Sequence, residues 1–553
     1  MRMIPALVGV AFGTMTATTA QATSLCTTPI GTLVDCSSGR AASSASIAVD
    51  GIEFRSYDGT GNNLANSDWG ASNTGMLTAI GASNSTTNDM TRTDGPAARD
   101  VSTAMGTGSG DVGDAGLSSM FWAWGQFVDH DITLTAESHD NDQIALGGTM
   151  GSIDRATQSD GAGINQITAY IDASGVYGSD EETALALRTN DGTGRMLMGE
   201  DGNLPRDADG NFMAGDVRVN EQQQLITMHT VFTREHNRIA DTLSDANPDW
   251  SGERVYQESR SLVGAQIQSI TYNEWLPNLL GENGLNAYGG YDSGVNAGMT
   301  TEFSTCAFRF CHSMIPDELE RLAENGDPIA QGHLKLSDGF FSPEIFLEGG
   351  GVDPLLRGLA AQDAMAVDAA MTTELRNFLD RGDGEDGDLL ASNVARGRDL
   401  GLADYNVLRA AYGLDPIDTW GDLTDDPVLA AELEALYGTS LNGLDPFIGA
   451  LAENPLDGAI VGALNAAIIG DQFERLRSGD RFWYETLYEG EMLTWIEDRS
   501  FSDILLDNSD IVWLQDNVFI TAARGAVSEP MPLALFVVAL AMLARRRRYA
   551  EIG

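Results

Sequence analysis

Lysine is almost missing from this 553-residue chain: Lys335 is the only one, and every other basic side chain is an arginine. Lys and Arg together number 32 against 81 Asp and Glu, a formal charge of −49. So acidic a surface repels phosphate, which excludes nucleic-acid binding. Two origins for the acidity stay open: adaptation to salty water, where screening tolerates dense like charge, and compositional drift in an acidic secreted proteome. Cysteine is scarce too, with only Cys26, Cys36, Cys306 and Cys311. No C-x-x-C pair occurs, so a cysteine metal knuckle is excluded. Spacing suggests bridges Cys26–Cys36 and Cys306–Cys311, although four cysteines allow three pairings. No period of 20–50 residues recurs, which excludes a solenoid. Nothing in the composition fits disorder, collagen or a multi-span membrane protein.

What is present is a large core and two address-like ends. Hydrophobic residues make up 42% of the chain, enough for a substantial buried core. The first 22 residues carry one charge, a short apolar run and the A-x-A pattern Ala20-Gln21-Ala22, and read as a secretory signal cut after Ala22. The end runs V-S-E-P, then an apolar stretch over 531–544, then four arginines at 545–548. That stretch is short of the roughly 20 residues that span a bilayer comfortably. Residues 526–553 resemble the PEP-CTERM sorting signal of Gram-negative bacteria, with Ser528 where a proline is usual. The resemblance implies an exosortase-type processing partner and an extracellular or cell-surface destination; a plain tail anchor is the alternative.

Between the ends, residues 23–120 are rich in Gly, Ser, Thr, Asn and Asp and read as loops with short elements. Helical periodicity then recurs to about residue 520, over 119–129, 225–246, 254–275, 363–379, 404–411 and 427–437. The acidic run at 381–387 reads as a solvated loop. One mainly α domain over 23–525 is expected.

Imidazole chemistry must draw on six histidines: His130, His139, His229, His236, His312 and His333. His130 lies in W-G-Q-F-V-D-H-D. Residues four apart on a helix share a face, so Gln126 and His130 look into one cavity, Asp129 reaches its side and Asp131 points elsewhere. An Asp-His-Asp triplet in an apolar helix suggests a metal site or an acid/base site. His312, in A-F-R-F-C-H-S-M, is either a core histidine or an iron ligand. His229 and His236 are seven apart and share a helix face; a polar network with Glu235, Asn237 and Arg238 is the favoured reading over a ligand pair. His139 and His333 sit among polar residues and are expected to be exposed.

Six blocks, in order, resemble the animal haem peroxidase family (the peroxidase–cyclooxygenase superfamily). They are R-S-Y-D-G-T-G-N-N from Arg55, W-G-Q-F-V-D-H-D from Trp124, D-V-R-V-N-E from Asp216, the helix around His229 and His236, A-F-R-F-C-H from Ala307, and the segment from Ala391 to Arg409. The resemblance implies a large single-domain fold with haem b between central helices. It implies His130 as the distal acid/base, Arg218 as the distal arginine and Gln126 in the peroxide or halide pocket. His312 becomes the proximal iron ligand, with Asn393 accepting its second N–H. Asp129 and Glu221 match carboxylates that form esters with haem, and Asp131 matches a calcium site completed by Thr168, Tyr170, Asp172 and Ser174. The implied activity is reduction of hydrogen peroxide, with oxidation of small anionic or phenolic donors through a ferryl intermediate.

Two departures narrow that expectation. Gln222 stands where strong halide oxidisers carry a haem-bonded methionine, which argues against chloride and for bromide, iodide, thiocyanate or phenols. Arg309 stands where lipid oxygenases carry a radical tyrosine, which argues against a fatty-acid dioxygenase. A non-catalytic calcium-bound surface or biofilm protein is the remaining alternative, and the intact set Gln126, His130, Arg218, His312 and Asn393 argues against it.

Overall fold

A computed structural model describes residues 46–80, 95–106, 112–113, 115–135, 163–380 and 386–521. The expected signal and tail, Cys26, Cys36, His139 and most of the acidic run at 381–387 lie outside them. The described residues are mainly helical, and their strands form only four two-stranded antiparallel ladders.

Five helices position the site. The first, α1 (Ser119–Ile132), is buried along almost its whole length, with Trp122 and Trp124 fully enclosed. Each large apolar side chain so buried contributes about 1.5–3 kcal/mol. The second, α2 (Gln223–Ala246), packs against α3 (Gly252–Ser269), the next helix in sequence, and both are largely buried. Threonines in a buried helix leave a hydroxyl to satisfy, and Thr227, Thr230 and Thr233 each donate to the carbonyl four residues back at 2.7–3.0 Å. Ser251 caps α3 by accepting from the Arg254 N–H. A π-helical stretch, Ile270–Trp275, continues α3 and turns Trp275 onto α1. There its indole N–H donates to the Phe121 carbonyl at 2.9 Å and its ring stacks on Phe121.

A short helix, Thr301–Thr305, leads into a 3-10 segment, Ala307–Met314, that packs on α1. Behind it lie α4 (Leu389–Asp399), capped by the Asp388 carboxylate, and α5 (Ala463–Ser478). One hydrophobic cluster joins these elements.

The expected helices at 119–129, 225–246, 404–411 and 427–437 match Ser119–Ile132, Gln223–Ala246, Tyr405–Ala411 and Pro427–Tyr437. The expected helix at 363–379 is corrected: only Thr373–Asn377 is helical. Its earlier half is drawn out by backbone pairing, because Ala364 N–H donates to Leu117 and Met365 N–H to Met314. The bridge Cys306–Cys311 is corrected too, since both are free, buried thiols.

Candidate active site

The four-residue spacing of Gln126 and His130 on α1 puts both side chains at one chamber. Gln126, Asp129 and His130 line one cavity of about 340 Å³, while Asp131 turns away from it. The chain after residue 216 brings Glu221 and Gln222 to the same cavity, and the 3-10 segment brings Arg309, Cys311 and His312. His130 and His312, 182 positions apart by numbering (312 − 130), therefore share one chamber. Its walls include Trp122, Phe308, Ile315, Leu336 and Leu375, which suits a flat apolar ring system. Phe341, at the same cavity, is 41% exposed and has φ 47°, a left-handed conformation that is strained for a bulky residue.

His130 is buried, with Nδ1 3.8 Å from Asp216 Oδ1 and Nε2 3.9 Å from Glu221 Oε2. Neither is a hydrogen bond, and Nδ1 has no hydrogen-bond partner among the described residues. Burial, then the Arg218 charge, hold this imidazole well below its ordinary pKa, so it is neutral and able to take a proton. Arg218 Nε and Nη2 donate to Asp216 at 2.9 and 2.7 Å, and Nη2 also donates to the Thr133 carbonyl at 3.0 Å. Asp129 and Glu221 are both raised by burial, Glu221 to about 7. Asp129 Oδ2 is 4.0 Å from Arg218 Nη1, and Asp129 Oδ1 is buried with no hydrogen-bond partner among the described residues. Gln126 Oε1 accepts from Gln224 at 2.8 Å. Gln222 is tied to the Leu336 carbonyl at 2.8 Å, and Arg309 Nε donates to the Ser304 carbonyl at 2.8 Å.

His312 is held down to about 3 by burial, then by Arg309. The Asn393 amide meets its Nδ1 at 2.8 Å with the nitrogen end toward the ring, where the expectation had its oxygen accepting. That amide donates, so Nε2 carries the ring proton. Ligation of iron requires the opposite tautomer, which a half-turn of the amide supplies by presenting its oxygen.

Asp131 faces a turn at 172–175. Its carboxylate accepts from the N–H groups of Asp172, Ala173 and Gly175 at 2.9–3.1 Å and from the Ser174 hydroxyl at 3.2 Å. Thr168 donates to Asp172 Oδ1 at 3.0 Å, and Asp172 Oδ2 is buried with no hydrogen-bond partner among the described residues. Burial raises both carboxyls, and Asp131 is raised further by Asp172 beside it. Two such carboxylates with two hydroxyls fit a hard cation. Tyr170 differs from the set: its hydroxyl donates to the Trp69 carbonyl at 2.6 Å, so only its backbone oxygen remains to offer.

The other histidines divide. His236 bonds to the Tyr177 hydroxyl and the Gly194 carbonyl at 2.8 and 2.9 Å, and Glu235 pairs with Arg238. His229 joins no such network: its ring lies against the Gly175 backbone and packs edge-on against Phe127. His333 is half-buried rather than exposed, its Nδ1 accepting from the Arg321 N–H. Sequence reasoning gave no role to Asp216 or Gln224. The signal for Asp216 was present, a carboxylate two residues before an arginine at the start of a short turn.

The family model for animal haem peroxidase matches residues 54–519. The chain belongs to the animal haem peroxidase family. Among curated relatives, a peroxidasin homolog of Mus musculus is 36% identical over 574 residues, covering 89% of this chain and 39% of that protein. Peroxinectin A of Dictyostelium discoideum is 35% identical and covers 84% of this chain and 96% of that protein. The chain thus spans about two fifths of the peroxidasins it matches. Among solved structures, peroxidase A from Dictyostelium discoideum superposes with a TM-score of 0.75 at 32% identity, covering 85% of this chain and 100% of that one. A fatty acid alpha-dioxygenase of Oryza sativa, at 22% identity and TM-score 0.71, shares the animal peroxidase fold alone. No helix among the described residues is long and apolar enough to cross a membrane.

Proposed function

We propose that this chain is a haem peroxidase that reduces hydrogen peroxide and oxidises bromide, iodide, thiocyanate or small phenols. The observation that carries the reading is the single cavity lined by both His130 and His312. Asp129 Oδ1, buried at this cavity with no hydrogen-bond partner among the described residues, also marks a site shaped for a further group. His312 would hold the iron of haem b, with Asn393 fixing the ring, and Asp129 and Glu221 would be the carboxylates that form ester links. Haem, when bound, supplies the electrons that split the peroxide bond and later recovers them from the donor.

The chain's own groups manage protons and charge. His130, neutral through burial, takes the proton from one peroxide oxygen at Nε2 and delivers it to the other as that oxygen leaves. Arg218, fixed by Asp216, stabilises the negative charge that builds on the departing oxygen. Gln126, itself held by Gln224, offers a polar contact in the same pocket. Asp131, Thr168, Asp172 and Ser174 would hold calcium and so brace the C-terminal end of α1 just beyond His130. Phe341 and its neighbour Phe340 give phenolic donors an aromatic rim. Residues 1–22 would direct export, and 526–553 would be processed by an exosortase-type enzyme at the surface of a Gram-negative bacterium.

Stopped-flow absorbance with peroxide, followed by each halide, thiocyanate and a phenol, tests the reading. A peroxide-driven spectral change reversed by bromide, iodide, thiocyanate or phenol supports it. Haem-loaded protein that shows no change with peroxide contradicts it.

A further inference from the structure

Asp216 is almost wholly enclosed, its side chain 1% exposed. Burial alone would raise its carboxyl, but the Arg218 guanidinium outweighs this and holds it below the usual carboxylate range. It grips Arg218 in three ways: Oδ1 accepts from Arg218 Nε and from the Arg218 backbone N–H at 2.9 and 2.8 Å, and Oδ2 accepts from Nη2 at 2.7 Å. Two-pronged guanidinium–carboxylate pairing fixes direction as well as distance. With Nη2 also bonded to Thr133, Nη1 is the nitrogen that makes no hydrogen bond among the described residues, and it stands 4.0 Å from Asp129 on the cavity wall. The same Oδ1 stands 3.8 Å from His130 Nδ1, on the opposite edge of the ring from Glu221.

Asp216 is itself held rigidly. Its backbone N–H donates to the Gly175 carbonyl at 3.0 Å. Gly215, beside it, lies so close to the turn at 174–178 that an added Cβ would come within 2.2 Å of the Ser174 carbonyl oxygen. A carboxylate this well anchored is suited to orienting its neighbours.

We propose that Asp216 is a positioning residue for the distal pair: it holds the remaining guanidinium nitrogen of Arg218 toward Asp129 at the cavity wall and favours the His130 tautomer that keeps its proton on Nδ1 and its lone pair on Nε2. Asp216 itself neither gives nor takes a proton. This rests on the distal roles proposed above for Arg218 and His130.

The test uses the full chain loaded with haem, as Asp216→Asn, Arg218→Gln, the double variant and Arg218→Lys. Three quantities are read: the rate of the peroxide-driven spectral change, the dissociation constant for cyanide by absorbance titration, and the donor KM. Asp216→Asn is expected to slow the peroxide step and weaken cyanide by about 10- to 100-fold, with donor KM unchanged. In the Arg218→Gln background it should add less than about 3-fold, because the two act as a unit. Arg218→Lys keeps charge but cannot fork, so it should lose nearly as much as Arg218→Gln; this arm stands even where Asp216→Asn fails to retain haem. If Arg218→Gln is slow while Asp216→Asn or Arg218→Lys runs at the wild-type rate, or if the effects multiply, Asp216 does not act as proposed. A wild-type rate in Arg218→Gln overturns instead the role of Arg218, and this proposal with it.

Discussion

Gly125 sits mid-way along α1, where alanine would ordinarily be the better residue. In an unhindered helix interior the exchange of glycine for alanine gains about 1 kcal/mol. Here an added Cβ would lie 2.7 Å from Cys311 Sγ and 3.2 Å from Trp275 Cζ2, so the new methyl meets the segment that carries His312. Both neighbours are buried, and overpacking of such a contact costs about 1–3 kcal/mol. Gly125→Ala should therefore be net destabilising, by up to about 2 kcal/mol once the propensity gain is subtracted. Removing the sulfur reverses the sign. In a Cys311→Ala background the tighter contact is gone, and Gly125→Ala should range from neutral to about 1 kcal/mol stabilising. The four proteins are compared in one haem state by urea unfolding, read by tryptophan fluorescence and circular dichroism, with midpoint and slope fitted separately. A coupling of about 1–3 kcal/mol is expected. Effects that add to within about 0.5 kcal/mol would show that α1 and the proximal segment do not touch at this point.

Further outcomes follow from the same geometry. His130→Ala should keep haem but slow the peroxide step roughly 10²-fold or more; an unchanged rate in stopped flow counts against the acid/base role. Removing calcium with a chelator should lower the melting temperature, and Asp172→Asn should abolish that response; a melting curve indifferent to chelator in the wild type refutes the cation site. Haem freely extracted by denaturing acid and of unmodified mass would rule out ester links at Asp129 and Glu221. His229 and His236 are both lowered to about 4 by burial. Their depressed folded values mean that stability is present above the unfolded value near 6.5 and is lost as pH falls toward 4. With both groups titrating the slope reaches about 2.7 kcal/mol per pH unit, and unfolding free energy that stays flat between pH 6.5 and 4 contradicts their neutral burial.

The part of the distal half that α1 carries was legible because it is local. Trp124 to Asp131 form one helix, so spacing alone separates the cavity face of Gln126 and His130 from Asp131. The proximal half was not: nothing local joins His312 to Asn393, and only the six ordered blocks pointed to that contact. Residues 363–372 look helical from composition, yet they serve as backbone partners for Leu117 and Met314, and tertiary pairing overrides propensity. Cys306 and Cys311 are near in sequence, but the Cys311 sulfur is directed at Gly125 of α1. Asp216 escaped notice because its importance lies in a fork to a residue only two positions on, a contact with no periodicity to reveal it.

The most direct test of two imidazoles facing one haem is a haemin titration of the wild type and His312→Ala, followed by Soret absorbance. The wild type should saturate at one haem per chain with a histidine-ligated spectrum, and His312→Ala should form no stable complex. Equal affinity and an identical Soret band in the two proteins would contradict the assignment.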